Sequence, residues 1–168
     1  KFKKNINGIS RDFEVVNADF EDNSHFYEKH PDPTNNFGIV HRNDGLGLSS
    51  TNNGFFLMFK QGTLNSAEFN FEDPVENRRQ IIGAENINET DVYFQQVSDQ
   101  NVVLTKWQKI PNTVGQTLQF NTLAKSTPLL YAIQNVGVEG IELQFADGNF
   151  ANVPVGNYRA FYRVSANE

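Results

Sequence analysis

His25, His30 and His41 are all the imidazoles the chain has. A metal site draws two or three neutral imidazoles together and orients them through a second layer of contacts. His25 and His30 are five residues apart in a proline-bearing segment, which is neither the i,i+4 spacing of a helix face nor the i,i+2 spacing of a strand. Carboxylates and carboxamides gather in Glu21-Asp22-Asn23, Asp32-Pro33-Thr34-Asn35 and Asp147-Gly148-Asn149. Hard oxygen donors of this kind suit Ca²⁺, yet the EF-hand pattern is missing and short Asx-rich turns cap themselves. The expectation is therefore no cofactor and no metal, with Ca²⁺ as the single candidate. The chain has no Gly-x-Ser-x-Gly elbow, P-loop, dinucleotide fingerprint or His-Glu-x-x-His. With no Cys, and with His confined to the first quarter, acyl-transfer chemistry lacks its parts. Paired carboxylates for glycoside hydrolysis depend on a separation that spacing along the chain does not set.

Aromatic and basic residues supply the remaining candidates. His25-Phe26-Tyr27-Glu28-Lys29-His30-Pro31 lies in a polar, proline-bearing stretch from 19 to 36, which the pattern assigns to a long surface loop. Long loops in compact domains often carry function, so Phe26, Tyr27 and His30 are the candidate ligand-binding residues. Trp107 joins them on one condition. If the strand face it shares with Val103 and Thr105 points outward it is a stacking platform, and if inward a core residue. Arg159 and Arg163 share one face of the last strand, and the expectation is a solvated face on an edge strand.

The elements that position these residues follow from alternation. Ser66 to Glu72 places Ala67, Phe69 and Phe71 on one face and Ser66, Glu68, Asn70 and Glu72 on the other, the signature of a half-buried strand. Further strands are expected over 37–42, 54–60, 91–97, 101–110, 116–121, 128–134, 140–146 and 156–165, separated by turn chemistry such as Asn43-Asp44-Gly45, Ser98-Asp99-Gln100-Asn101 and Asp147-Gly148-Asn149. One short helix is expected over 73–79, with Asp73 as N-cap, Pro74 at N1 and Glu76 three residues after the cap. Phe69, Phe71, Phe94, Phe120 and Phe145 fall at strand spacing and are the expected core. The fold class this implies is all-β: a single β-sandwich, immunoglobulin-like or jelly-roll, of about nine or ten short strands over residues 1–168, with residues 1–16 as an N-terminal strand or extension.

Composition agrees. The chain has 168 residues, 15 Phe and no Cys, and Asn is its commonest residue. With 14 Lys+Arg against 20 Asp+Glu the net charge is −6, which with scattered basic residues argues against nucleic-acid binding. No apolar run approaches the roughly 18 residues of a membrane-spanning helix. A Cys-free, Asn-rich, acidic β-domain that starts at Lys1 points to an exported protein, secreted or at a cell surface.

Parts of the chain resemble known families. The 102–107 strand, Gln116-Thr117-Leu118-Gln119-Phe120, the closing Val153-Pro154-Val155-Gly156-Asn157-Tyr158-Arg159-Ala160 and the opening Lys4-Asn5-Ile6 resemble the immunoglobulin-like, Cys-free pilin and adhesin subunits of the chaperone–usher pathway. Asn17-Ala18-Asp19-Phe20-Glu21 is similar to the opening of some carbohydrate-binding modules, and Arg11-Asp12-Phe13 with Asp19-Phe20-Glu21 to a motif of bacterial fibro-slime surface proteins. These resemblances imply cell adhesion, with a glycan or protein receptor as partner and no catalysis. They also imply an alternative, a structural fimbrial subunit that joins its neighbours by strand exchange. A glycan-active enzyme is a third class.

Overall fold

The computed structural model describes residues 1–21, 25–32, 39–110 and 128–165. The chain is all-β. Its strands are β1 (Phe2–Ile6), β2 (Ile9–Val16), β3 (Ala18–Glu21), β4 (His25–Glu28), β5 (Val40–Arg42), β6 (Gly54–Phe56), β7 (Met58–Gln61), β8 (Thr63–Phe71), β9 (Arg79–Ile82), β10 (Ile87–Val97), β11 (Val103–Lys106), β12 (Gln108–Lys109), β13 (Leu130–Asn135), β14 (Ile141–Gln144) and β15 (Gly156–Val164). More strands form than the nine or ten expected, partly because apolar runs such as 54–60 and 101–110 each break into two. The expected 116–121 strand and Phe120 lie outside the described residues. No described helix is long and apolar enough to cross a membrane.

The described chain divides into two compact units, residues 1–63 and 64–167, where the sequence pattern suggests one sandwich over the whole length. In the first unit, β1, β2 and β7 form an antiparallel sheet in that order. Residues 1–16, expected as an N-terminal strand or extension, pair with each other as β1 and β2. Asn7 and Gly8, both at positive φ (54° and 85°), make the two-residue turn that brings Ile6 opposite Ile9, a conformation Asn and Gly adopt at least cost. Phe2 stacks on Phe13 at 5.4 Å and meets Phe59 edge-on at the same distance.

The expected loop over 19–36 is corrected in part. β3 and β4 pair antiparallel, with Asp19 opposite Tyr27 and Phe20 opposite Phe26. What holds this hairpin is aromatic packing across its strands: Phe20 lies 4.8 Å from Phe26 and 5.0 Å from Phe56. Asp19 adds polar support, since its carboxylate accepts from the Phe20 backbone N–H at 2.9 Å and from Lys29 Nζ at 3.2 Å.

The second unit carries two four-stranded sheets, ordered β11-β10-β15-β8 and β12-β13-β14-β9. All the pairings within these sheets whose register is described are antiparallel except β12 with β13, which run parallel. Both sheets contribute to one core of Phe71, Ile82, Val92, Phe94, Trp107, Tyr131, Ile133, Ile141, Leu143, Phe145, Tyr158 and Ala160. Phe94 is its centre, stacked on Tyr158 at 4.8 Å and 5.0 Å from Phe145. Each such ring, taken fully from water, contributes about 1.5–3 kcal/mol. Phe69 packs against the same cluster, so the alternation seen in 66–72 survives as the inner and outer faces of β8.

Two further expectations are corrected here. No helix forms over 73–79: Asn77 takes φ 52°, its N–H bonds Ala146 O at 2.9 Å, and Arg78 lies 4.6 Å over the Phe71 ring. Tertiary contacts thereby outbid a weak capping signal. Nor do Arg159 and Arg163 stand on a solvated edge. β15 lies between β10 and β8, Arg159 is 9% exposed and Arg163 1%, and Arg163 Nε meets Asp91 Oδ2 at 3.3 Å.

Candidate functional site

Of the sequence-derived site residues, Phe26, Tyr27 and His30 lie in the first unit and Trp107 in the second. Phe26 and Tyr27 are neighbours on β4 and so face opposite ways. Phe26 packs into the Phe20–Phe56 cluster, while Tyr27 stacks parallel to His25 at 6.4 Å on the other side. His30 follows the strand and is half-buried. Trp107 belongs to the other unit, and at 2% exposure it is a core residue rather than a platform, edge-on to Phe94, Phe145 and Tyr158 at 5.6–5.8 Å. Of the Ca²⁺ candidates, Asp22, Asn23 and the stretch Pro33-Thr34-Asn35 lie outside the described residues. Asp147 Oδ1 accepts the N–H of Asn149 at 3.0 Å and of Phe150 at 2.9 Å, so its carboxylate caps its own turn, and those donors hold its pKa below the usual value. Among the described residues no group of three His, Cys, Asp or Glu comes together.

A different set does converge, at one end of the outer face of the β11-β10-β15-β8 sheet. An open cleft of about 420 Å³ is lined from three elements: Glu68, Phe69 and Asn70 on β8, Asn157 to Arg159 on β15, and Val97, Ser98, Asp99 and Asn101 at the β10–β11 turn. Each element places its polar side chains there for a local reason. Glu68 and Asn70 occupy the outward positions of β8 that alternate with Phe69 and Phe71. Asn157 and Arg159 alternate in the same way with core-facing Tyr158 and Ala160. The turn is set by Ser98, whose N–H bonds Val102 O at 2.9 Å and whose hydroxyl accepts from the N–H of Gln100 and of Val102 at 3.2 Å. Asn101, at φ 62°, then closes onto Ser98 O at 2.9 Å, using its tolerance of the left-handed region.

The side chains meet in two networks. Asn70 Nδ2 donates to Asn157 Oδ1 at 2.6 Å, and Asn157 Nδ2 donates in turn to Asp99 Oδ1 at 2.8 Å. Arg159 Nη2 donates to Glu68 Oε1 and to Asn101 Oδ1, the latter at 2.9 Å. Arg159 is the buried floor of the cleft, whereas Glu68, Asn70, Asp99 and Asn101 at its rim are exposed. Beneath it, burial pushes the Tyr158 phenol above its ordinary value. The arrangement offers a ligand alternating carboxamide donors and acceptors on the outer face of the sheet.

Sequence reasoning passed over this site. Its one visible signal was the outward set Glu68 and Asn70 on an evident strand, together with the Ser98–Asn101 turn, but these lie about thirty residues apart and the third wall, Asn157 and Arg159, nearly sixty further on.

Fold and site together define an all-β protein of largely antiparallel sheets with a polar, carboxamide-lined cleft on one sheet face. The chain belongs to the family described as Domain of unknown function (DUF8360), whose model matches residues 1–168. Searches of curated proteins and of solved structures find no match to it.

Proposed function

We propose that this protein is an extracellular binding domain of adhesin type that recognises a glycan or a surface receptor without catalysis. The observation that carries this reading is the cleft: an open, concave site of about 420 Å³ walled by Asn70, Asp99, Asn101, Asn157 and Arg159. Its volume falls in the range of small-ligand sites, and amides that both donate and accept are the groups that hold the hydroxyls of a sugar. The carboxylates in it are already engaged, Glu68 by Arg159 and Asp99 by Asn157, which suits holding a ligand more than moving protons. The Cys-free, Asn-rich composition supports a secreted or cell-surface setting.

Structural assembly as a fimbrial subunit has its own support. β1 is an edge strand exposed at all five residues, a template for strand addition. One experiment separates the two. The purified protein is applied to a glycan array and sedimented in parallel, with Asn101→Ala and Asn157→Ala as cleft variants. The binding reading expects a monomer that binds selected glycans, with each variant weakened about tenfold. Polymers that bind nothing would favour assembly instead. Full binding by both variants would remove the cleft from the site.

A further inference from the structure

We infer that the cleft takes an uncharged, hydroxyl-rich saccharide and discriminates against anionic ones; this deepens the binding reading above and rests on it. Among the described residues Arg159 is the only basic one that lines the cleft, and its charge is already matched: Nη2 donates both to Glu68 and to Asn101. Asp99 then adds a second carboxylate. Two acids against one base leave the cleft with a net negative charge, and a sulfate or carboxylate brought into it would meet repulsion without a free cation to offset it.

What the floor lacks is an acceptor. Arg159 is more than nine-tenths buried, and its Nε has no hydrogen-bond acceptor among the described residues. That nitrogen is closed to solvent, so it offers an incoming sulfate or carboxylate no contact. Around it, Asn70, Asn101 and Asn157 each present an amide that both donates and accepts. A hydroxyl can answer either half of such an amide. A sulfate, which only accepts, can answer one.

The test uses an array of neutral oligosaccharides printed beside the same cores carrying sulfate or sialic acid, probed with the full chain and with Asp99→Asn. Trp107 emission serves as the fold check, because this single, buried Trp reports on the unit that carries the cleft. The expected result is binding to neutral cores at least about tenfold tighter than to their charged counterparts. In the same comparison Asp99→Asn should narrow that ratio severalfold while keeping native emission. Equal or tighter binding of the sulfated cores, lost on Asn157→Ala, would overturn the inference and leave the cleft as the binding site. Binding to neither set would overturn the cleft reading, and the inference with it.

Discussion

Tyr131 shows how far a single buried side chain ties this protein's stability to pH. Its hydroxyl donates to Val92 O at 2.8 Å within the core, and burial holds the phenol above its ordinary value near 10. The native state therefore keeps a proton that the unfolded chain gives up at about pH 10. Stabilisation from this difference is complete below that pH and lost as pH rises through the window above it. Tyr158 shifts in the same direction, also chiefly through burial. Denaturant midpoints followed by Trp107 emission should fall between about pH 9 and pH 11, and Tyr131→Phe should flatten that fall while costing about 1–2 kcal/mol at neutral pH. A midpoint that holds steady across the window would contradict the burial of the phenol. At this scale the sequence was informative about apolar residues and poor about polar ones. Phe69, Phe71, Phe94 and Phe145 take their expected places because alternation alone assigns a ring to a face. Arg163 was misjudged because its partner, Asp91, is far away in sequence, and no local pattern announces an ion pair across strands.

Elements here are set by turns as much as by strands. Gly140 is the strictest case. It stands at φ 108°, and a Cβ there would sit 2.1 Å from Ile82 O and 2.9 Å from the Ala84 N. Gly137, the first residue of the short 3₁₀ turn Gly137–Glu139 that Gly140 caps, has φ 71° and open space around its missing Cβ. Gly140→Ala should therefore destabilise the protein by at least about 3 kcal/mol, since backbone must shift, whereas Gly137→Ala should cost only about 1 kcal/mol of left-handed strain. Chemical denaturation of the pair checks this, and equal costs would show that β9 and β14 do not approach as described. The β3–β4 hairpin makes the complementary point. Residues 19–36 look like loop because Asp, Asn, Glu and Pro crowd the stretch, yet Phe20 and Phe26 hold β3 and β4 together through contact with Phe56, thirty residues on. The helix expected over 73–79 fails for the same reason in reverse, since Asn77 and Arg78 find better partners in Ala146 and Phe71 than in a helical turn.

Across the whole molecule, apolar burial is uneven. The second unit holds the aromatic core, whereas Val16 and Ala18 are the fully buried hydrophobic residues described in the first. Local opening costs least where few apolar contacts close a segment. Native-state hydrogen exchange should accordingly find the slowest amides in β10, β13, β14 and β15 and faster ones in β1 and β2, by two orders of magnitude or more, as roughly 3 kcal/mol of difference implies. Uniform protection over both units would contradict that distribution. The sequence by itself determined the all-β class, most strand positions and the aromatic composition of the core, because side-chain period and turn chemistry act between residues a few positions apart. Only the tertiary structure decided that the chain forms two units, that Trp107 lies inside, and that β8, β15 and the Ser98–Asn101 turn close around one cleft. Those outcomes depend on which strands become neighbours, a choice made by burial of faces over separations of thirty to ninety residues, where local periodicity carries no information.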